Sequence, residues 1–131
     1  MASKKRKYEV RFDPVIKNFS DGLMKVYDHP IFSAMLHHAT IHRQPDNNLC
    51  PRDGYAVVTS NGVIHVHPKR LADADEWVYI VTHCLLHLGF GHFQEHENAA
   101  LWNAACDCYV ARFLQDLKFG RPPEDMRARV D

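Results

Sequence analysis

The sequence predicts an α+β domain: helices first, a small hairpin sheet, then two further helices. Three observations carry that reading. Apolar residues recur at helical spacing before residue 42 and again from residue 76. Between them, YAVVTSNGVIHVHP sets two β-rich runs around Asn61-Gly62. Glycine and proline gather where each periodic run stops.

The elements follow in order. Residues 1–12 read as a loose basic arm, and Lys4-Lys5-Arg6-Lys7 as a solvated terminus. Asp13 and Pro14 form a helix start, cap then N1. Val15, Ile16, Phe19, Leu23, Val26 and Tyr27 mark its helical period. Pro30 interrupts, and a second helix is predicted from Ile31 to Ile41, with Ile31, Met35 and Leu36 inward and His37, His38 and His42 on its outer side. Gln44 to Gly54 is a polar loop. Asn61-Gly62 suits a type I′ turn, which needs positive φ at both central positions. In the second strand Ile64 and Val66 face the core, and His65 and His67 face water. Asp73 or Asp75 caps a helix over Glu76 to Leu88, stopped by Gly89 and Gly91. A polar link, His92 to Asn98, leads to a last helix over Ala99 to Lys118. Gly120, Pro122 and Pro123 end it. The domain is assigned to residues 13–120, and residues 121–131 to a C-terminal tail.

Composition excludes some functions. Sixteen basic residues cancel sixteen acidic ones, so there is no overall charge for nucleic acid or a membrane surface to recognise. No apolar run is long enough for a secretory signal or a membrane span. Cys50, Cys84, Cys106 and Cys108 lack the pattern of a secreted disulfide framework, and with no signal segment they point to reduced thiols in the cytoplasm. At 131 residues, about two-thirds of the unfolded chain's surface can be buried without a disulfide or metal to help.

The chemistry gathers on the two late helices. On a wheel of ~100° per residue, His83 and His87 lie about 40° apart on one face. Trp77, Val81, Leu85 and Leu88 lie on roughly the opposite side and anchor the helix. Two imidazoles one turn apart suit a tetrahedral zinc ion. On the last helix Asp107 is centred among Ala100, Asn103, Ala104, Val110, Ala111 and Leu114, an apolar face on which a carboxylate needs a partner. Asp107 is therefore the leading third ligand. His92 competes: a continued helix would turn it away from His83, but the glycines let it swing back, to a metal or to Asp107.

These residues together resemble the bacterial metallopeptidase domain found ahead of von Willebrand factor A-like domains. The stretches HPIFSAMLHHATI, NGVIHVHPKRL, HCLLHLGFGH, WNAACDCYV and GRPPEDM carry the resemblance, over roughly residues 15–126. That family's H-E-x-x-H, G-H and W-N-x-A-x-D pattern falls on His83, His87, Gly91-His92, Trp102-Asn103 and Asp107. The resemblance implies a zincin-like fold, Zn²⁺, and a sheet whose hairpin edge takes a peptide or protein partner. It also implies an AAA-type ATPase or a von Willebrand A-like domain as partner.

One position departs from the pattern. Cys84 stands where such peptidases carry the glutamate that takes a proton from the attacking water. A thiol is shorter, and in apolar company it keeps its proton. The expectation is a zinc-binding, metallopeptidase-like protein with little or no hydrolysis, or a peptide-binding module on the same scaffold with zinc structural or absent. Glu76 is about 10 Å up the helix axis and too far to substitute; Glu95 and Glu97 in the link remain open. Cys106 and Cys108 point about 200° apart and cannot easily share a metal. A cysteine hydrolase built on Cys84 lacks a visible oxyanion element.

Overall fold

The computed structural model describes residues 13–46, 48–95 and 97–125. The predicted arm, residues 1–12, and residues 126–131 of the tail lie outside the described residues. The chain is α+β. Its order is α1 (Pro14–Asp28), α2 (Pro30–Leu36), β1 (Thr40–His42), β2 (Ala56–Val58), β3 (Val63–Val66), α3 (Ala74–Gly89) and α4 (Ala99–Leu117).

The Asp13 carboxylate accepts the Val15 N–H at 2.9 Å, and Pro14 fills the position where a helix needs no donor. α1 buries Phe19, Gly22 and Val26. His29 then leaves the helix in an extended conformation, and its Nδ1 accepts the Ile31 N–H. This break starts α2 in a new phase. Phe32 and Leu36 turn into the core, whereas Ile31, expected inward, is 60% exposed.

The second helix is also shorter than predicted. It stops at Leu36, and Thr40, Ile41 and His42 form a strand instead. β-branched Thr40 and Ile41 suit that conformation. The Thr40 N–H donates to the Gly62 carbonyl, which starts the pairing with β3. Helical periodicity is blind to a partner so distant in the chain.

β3 lies at the centre of the sheet, parallel to β1 and antiparallel to β2. Ile64 and Val66 are fully buried, as expected from the alternation. His65 lies between Val57 and His42 across the opposite face. It is half-buried rather than wet, with its ring 5.2 Å from that of His42. The turn differs from type I′. Gly62 has φ +85°, but Asn61 does not have positive φ, and the Gly62 N–H donates to Thr59. A three-residue connection with glycine in the left-handed position relieves Asn61 of that strain.

α3 runs through the middle of the molecule. Glu76 accepts the Asp73 N–H at 2.9 Å at its start. α1, α2 and the sheet all pack on it. Trp77 meets Phe19 edge-on at 5.3 Å between ring centres and is fully buried. α4 ends at Lys118, whose φ is +57°. Beyond it, residues 121–125 lie against the body. The Arg121 N–H donates to the Asp75 carbonyl, Pro123 is fully buried, and Asp125 pairs with Arg70 at 2.6 Å.

Candidate metal centre

The apolar stripe of α3 leaves one side of the helix free at two positions a turn apart. Trp77, Val81 and Leu85 are buried at 0–1% exposure, and His83 and His87 project from the other side as the wheel requires. Their rings are 4.8 Å apart, centre to centre. α4 crosses this face. Its buried stripe is Cys106, Val110, Ala111 and Leu114. Asp107 stands at the edge of that stripe, not at its centre. Its side chain is 62% exposed, and Ala100, Asn103 and Ala104, expected to share a buried face with it, are exposed too. In this half of α4 only Cys106 is buried and Trp102 half-buried, and Asn103 and Ala104 instead line cavities.

Three ligand-type atoms converge. His83 Nε2 and His87 Nε2 are 3.0 Å apart. Asp107 Oδ1 is 2.9 Å from His87 Nε2 and 3.4 Å from His83 Nε2. Two imidazole lone pairs at that distance repel unless a proton or a cation sits between them. Bonds of about 2.0–2.2 Å in a tetrahedral site require ligand atoms roughly 3.3–3.5 Å apart. The triangle is close to that size, and its donor set of two imidazole nitrogens and one carboxylate oxygen suits a borderline divalent ion. Burial alone would raise the Asp107 carboxyl. The hydrogen bonds and charge of His83 and His87 outweigh that and hold it well below the usual carboxylate range.

His92 does swing back, but to neither expected place. Gly91 takes φ +67° and donates to the Leu88 carbonyl, while the His92 N–H donates to the His87 carbonyl. This is a Schellman closure, and only a residue free to adopt positive φ forms it without strain. The His92 ring comes to rest on the outer nitrogen of His87, Nδ1 to Nδ1 at 3.1 Å. His92 is therefore outside the ligand triangle and behind one of its members. Burial first, and then the neighbouring His87, hold its imidazole below the ordinary value. Trp102 Nε1 donates to the His92 carbonyl at 3.2 Å and ties this turn to α4. Residue spacing gives no sign of this chain of contacts from Trp102 through His92 to His87; the one trace in the sequence is a Gly-His pair just past a helix stop. His83 has no such support, since its buried Nδ1 has no hydrogen-bond partner among the described residues.

Cys84 is buried at 5% exposure and lines the cavity in front of the triangle. Burial above all pushes its thiol up to about 12. Asn103 and the three residues of β2, Ala56, Val57 and Val58, line the same cavity, which encloses about 340 Å³. β2 ends the sheet, so its outer edge borders the site. Glu95 and Glu97 are exposed and line none of it. Cys106 is buried and Cys108 exposed, on different sides of α4.

Comparison of the chain with family models, curated proteins and solved structures returns no match. No helix among the described residues is long and apolar enough to cross a membrane.

Proposed function

We propose that this chain is a metallopeptidase-like, zinc-binding domain of zincin type in which hydrolysis is weak or lost. The observation that carries the reading is the convergence of His83 Nε2, His87 Nε2 and Asp107 Oδ1 within 3.4 Å of one another. These three would hold the ion. His92 Nδ1, 3.1 Å from His87 Nδ1, would accept a hydrogen from it and leave His87 Nε2 free as a ligand, the outer support that metal-binding histidines generally have. A divalent ion bound there would supply Lewis acidity beside the open edge of β2.

The chain's own residues limit the chemistry. A neutral, buried Cys84 neither accepts a proton from water nor attacks a carbonyl. Among the described residues, no carboxylate lines the first cavity besides Asp107, which is a ligand in this reading. Peptide hydrolysis thus lacks its base.

The test is metal analysis of purified protein, paired with a peptidase assay of Cys84→Glu. About one zinc per chain, lost in His83→Ala, is the expected result. Peptidase activity gained by Cys84→Glu would show that only the base is missing. Failure to take up zinc after careful refolding would sink the reading.

A second reading has its own support. Among the described residues, the outer edge of β2 pairs with no strand beside the cavity, which suits an added peptide strand. On this reading the domain is a non-catalytic binding module, the metal is structural or absent, and Asp107 pairs with a protonated imidazole at 2.9 Å. By the family resemblance, an AAA-type ATPase or a von Willebrand A-like domain would be the partner, with the protein in the cytoplasm. Hydrolysis that vanishes on chelation would count against it.

A further inference from the structure

A second cavity, of about 330 Å³, meets the first at Ala56, His83, Cys84 and Asp107. Its remaining walls come from Tyr55 on the sheet side, Tyr79 and Ile80 on α3, and Ala104 on α4. Asp53, Gly54, Cys108 and Asp125 complete the lining. The charges around it are nearly all accounted for. Asp125 is held by Arg70 at 2.6 Å and by the Tyr55 hydroxyl at 3.1 Å. Arg70 itself stacks over the Tyr55 ring at 3.8 Å. Asp107 is turned to the two histidines. Only Asp53 remains, and it is exposed. What is left is an apolar chamber between two tyrosines, of a size that suits small-ligand recognition.

We infer that this cavity receives a large aromatic side chain of a peptide ligand lying along the open edge of β2. The placement follows from the strand. Ala56 borders both cavities, whereas Val57 and Val58 border only the first. A peptide paired with β2 passes from one cavity to the other, and its alternate side chains turn to the same face. A side chain next to the ligand triangle then enters the chamber. A lysine or arginine finds, among the lining carboxylates, only exposed Asp53 at the rim without a partner; an aromatic ring finds Tyr55, Tyr79 and Ile80. The placement of the peptide rests on the metal-site reading, and the experiment separates the two.

Zinc-loaded protein is titrated with the hydroxamates of phenylalanine, lysine and glycine, which share one metal-binding group and differ in the side chain. The phenylalanine probe should bind at least about tenfold tighter than the glycine probe. Ala104→Trp, at an exposed helix position on the chamber wall, should erase that preference. Equal affinities, a preference for lysine, or a phenylalanine preference that survives Ala104→Trp overturns the inference while leaving zinc binding in place. If the protein takes up no zinc, the metal reading fails and the chamber is read directly. N-acetylphenylalaninamide should then shift the NMR signals of Tyr55, Tyr79 and Ala104, and no shift there overturns the inference.

Discussion

Nine of the sixteen residues of α3 are buried, whereas only four of the nineteen in α4 are. Yet both helices bring ligand-type atoms to one triangle. α3 is held by α1, α2 and the sheet, so His83 and His87 stand on a helix that cannot shift without disturbing the core. α4 touches the body along one stripe, and its first half carries exposed Leu101, Ala104 and Asn103. The third ligand-type atom, on Asp107, therefore comes from the less constrained helix. In the proposed metal centre, α3 would supply the firmly packed pair and α4 the less constrained third ligand.

The largest expected effect concerns the core helix. Trp77→Ala should cost about 3–5 kcal/mol, because it empties a fully buried site between Phe19 and Tyr55. Leu101→Ala, at 66% exposure on α4, should stay within about 0.5 kcal/mol. Urea melts of the two variants compare the helices directly, and similar losses would erase the contrast between them.

Zinc titrations come next. His83→Ala or His87→Ala should remove high-affinity uptake, and Asp107→Asn should weaken it while leaving measurable binding by the α3 pair. Identical behaviour of all three variants would mean that α4 is as rigidly placed as α3. His92→Ala should lower affinity by roughly 10–100-fold without changing stoichiometry, because it frees the outer nitrogen of His87. A halved stoichiometry or complete loss would instead make His92 a ligand.

The smallest effect is a slope with pH. In the folded state the Cys84 thiol is pushed up to about 12, chiefly by burial. The unfolded chain releases that proton near pH 8.5, roughly. Above it, the folded state holds the extra proton. The stability that Cys84 contributes is thus complete below the unfolded value and declines as pH rises toward the folded one. Metal-free protein should lose less stability between neutral and alkaline pH when it carries Cys84→Ala. Equal slopes in the two proteins would show that the thiol is not sealed in the core.

Some of the site is readable from residue spacing. Two histidines four apart, opposite Trp77, Val81 and Leu85, must share a face of any helix, because the backbone period is fixed. The same logic places Cys84 between that face and the core, and Ile64 and Val66 inward on β3. The wheel finds Asp107 for a partly mistaken reason. It centres the residue on a buried face, but burial depends on what packs against α4, and Asp107 stays exposed with Ala100, Asn103 and Ala104.

The local code of Asp13-Pro14, Ile64 and Val66, and the His83–His87 pair determined one helix start, one strand face and one pair of histidines on a shared helix face. Each depends only on neighbours a few residues away. Tertiary structure decided the rest. It made a strand of Thr40 to His42, because Gly62 and β3 supply the hydrogen-bond partners. It set the His92 ring on His87, because a left-handed Gly91 folds the chain back over the last turn of α3. It carried Asp107 to within hydrogen-bonding distance of the histidines, because α4 crosses α3 there. Contacts between residues far apart in the chain are set by how whole elements pack, and no local period encodes them.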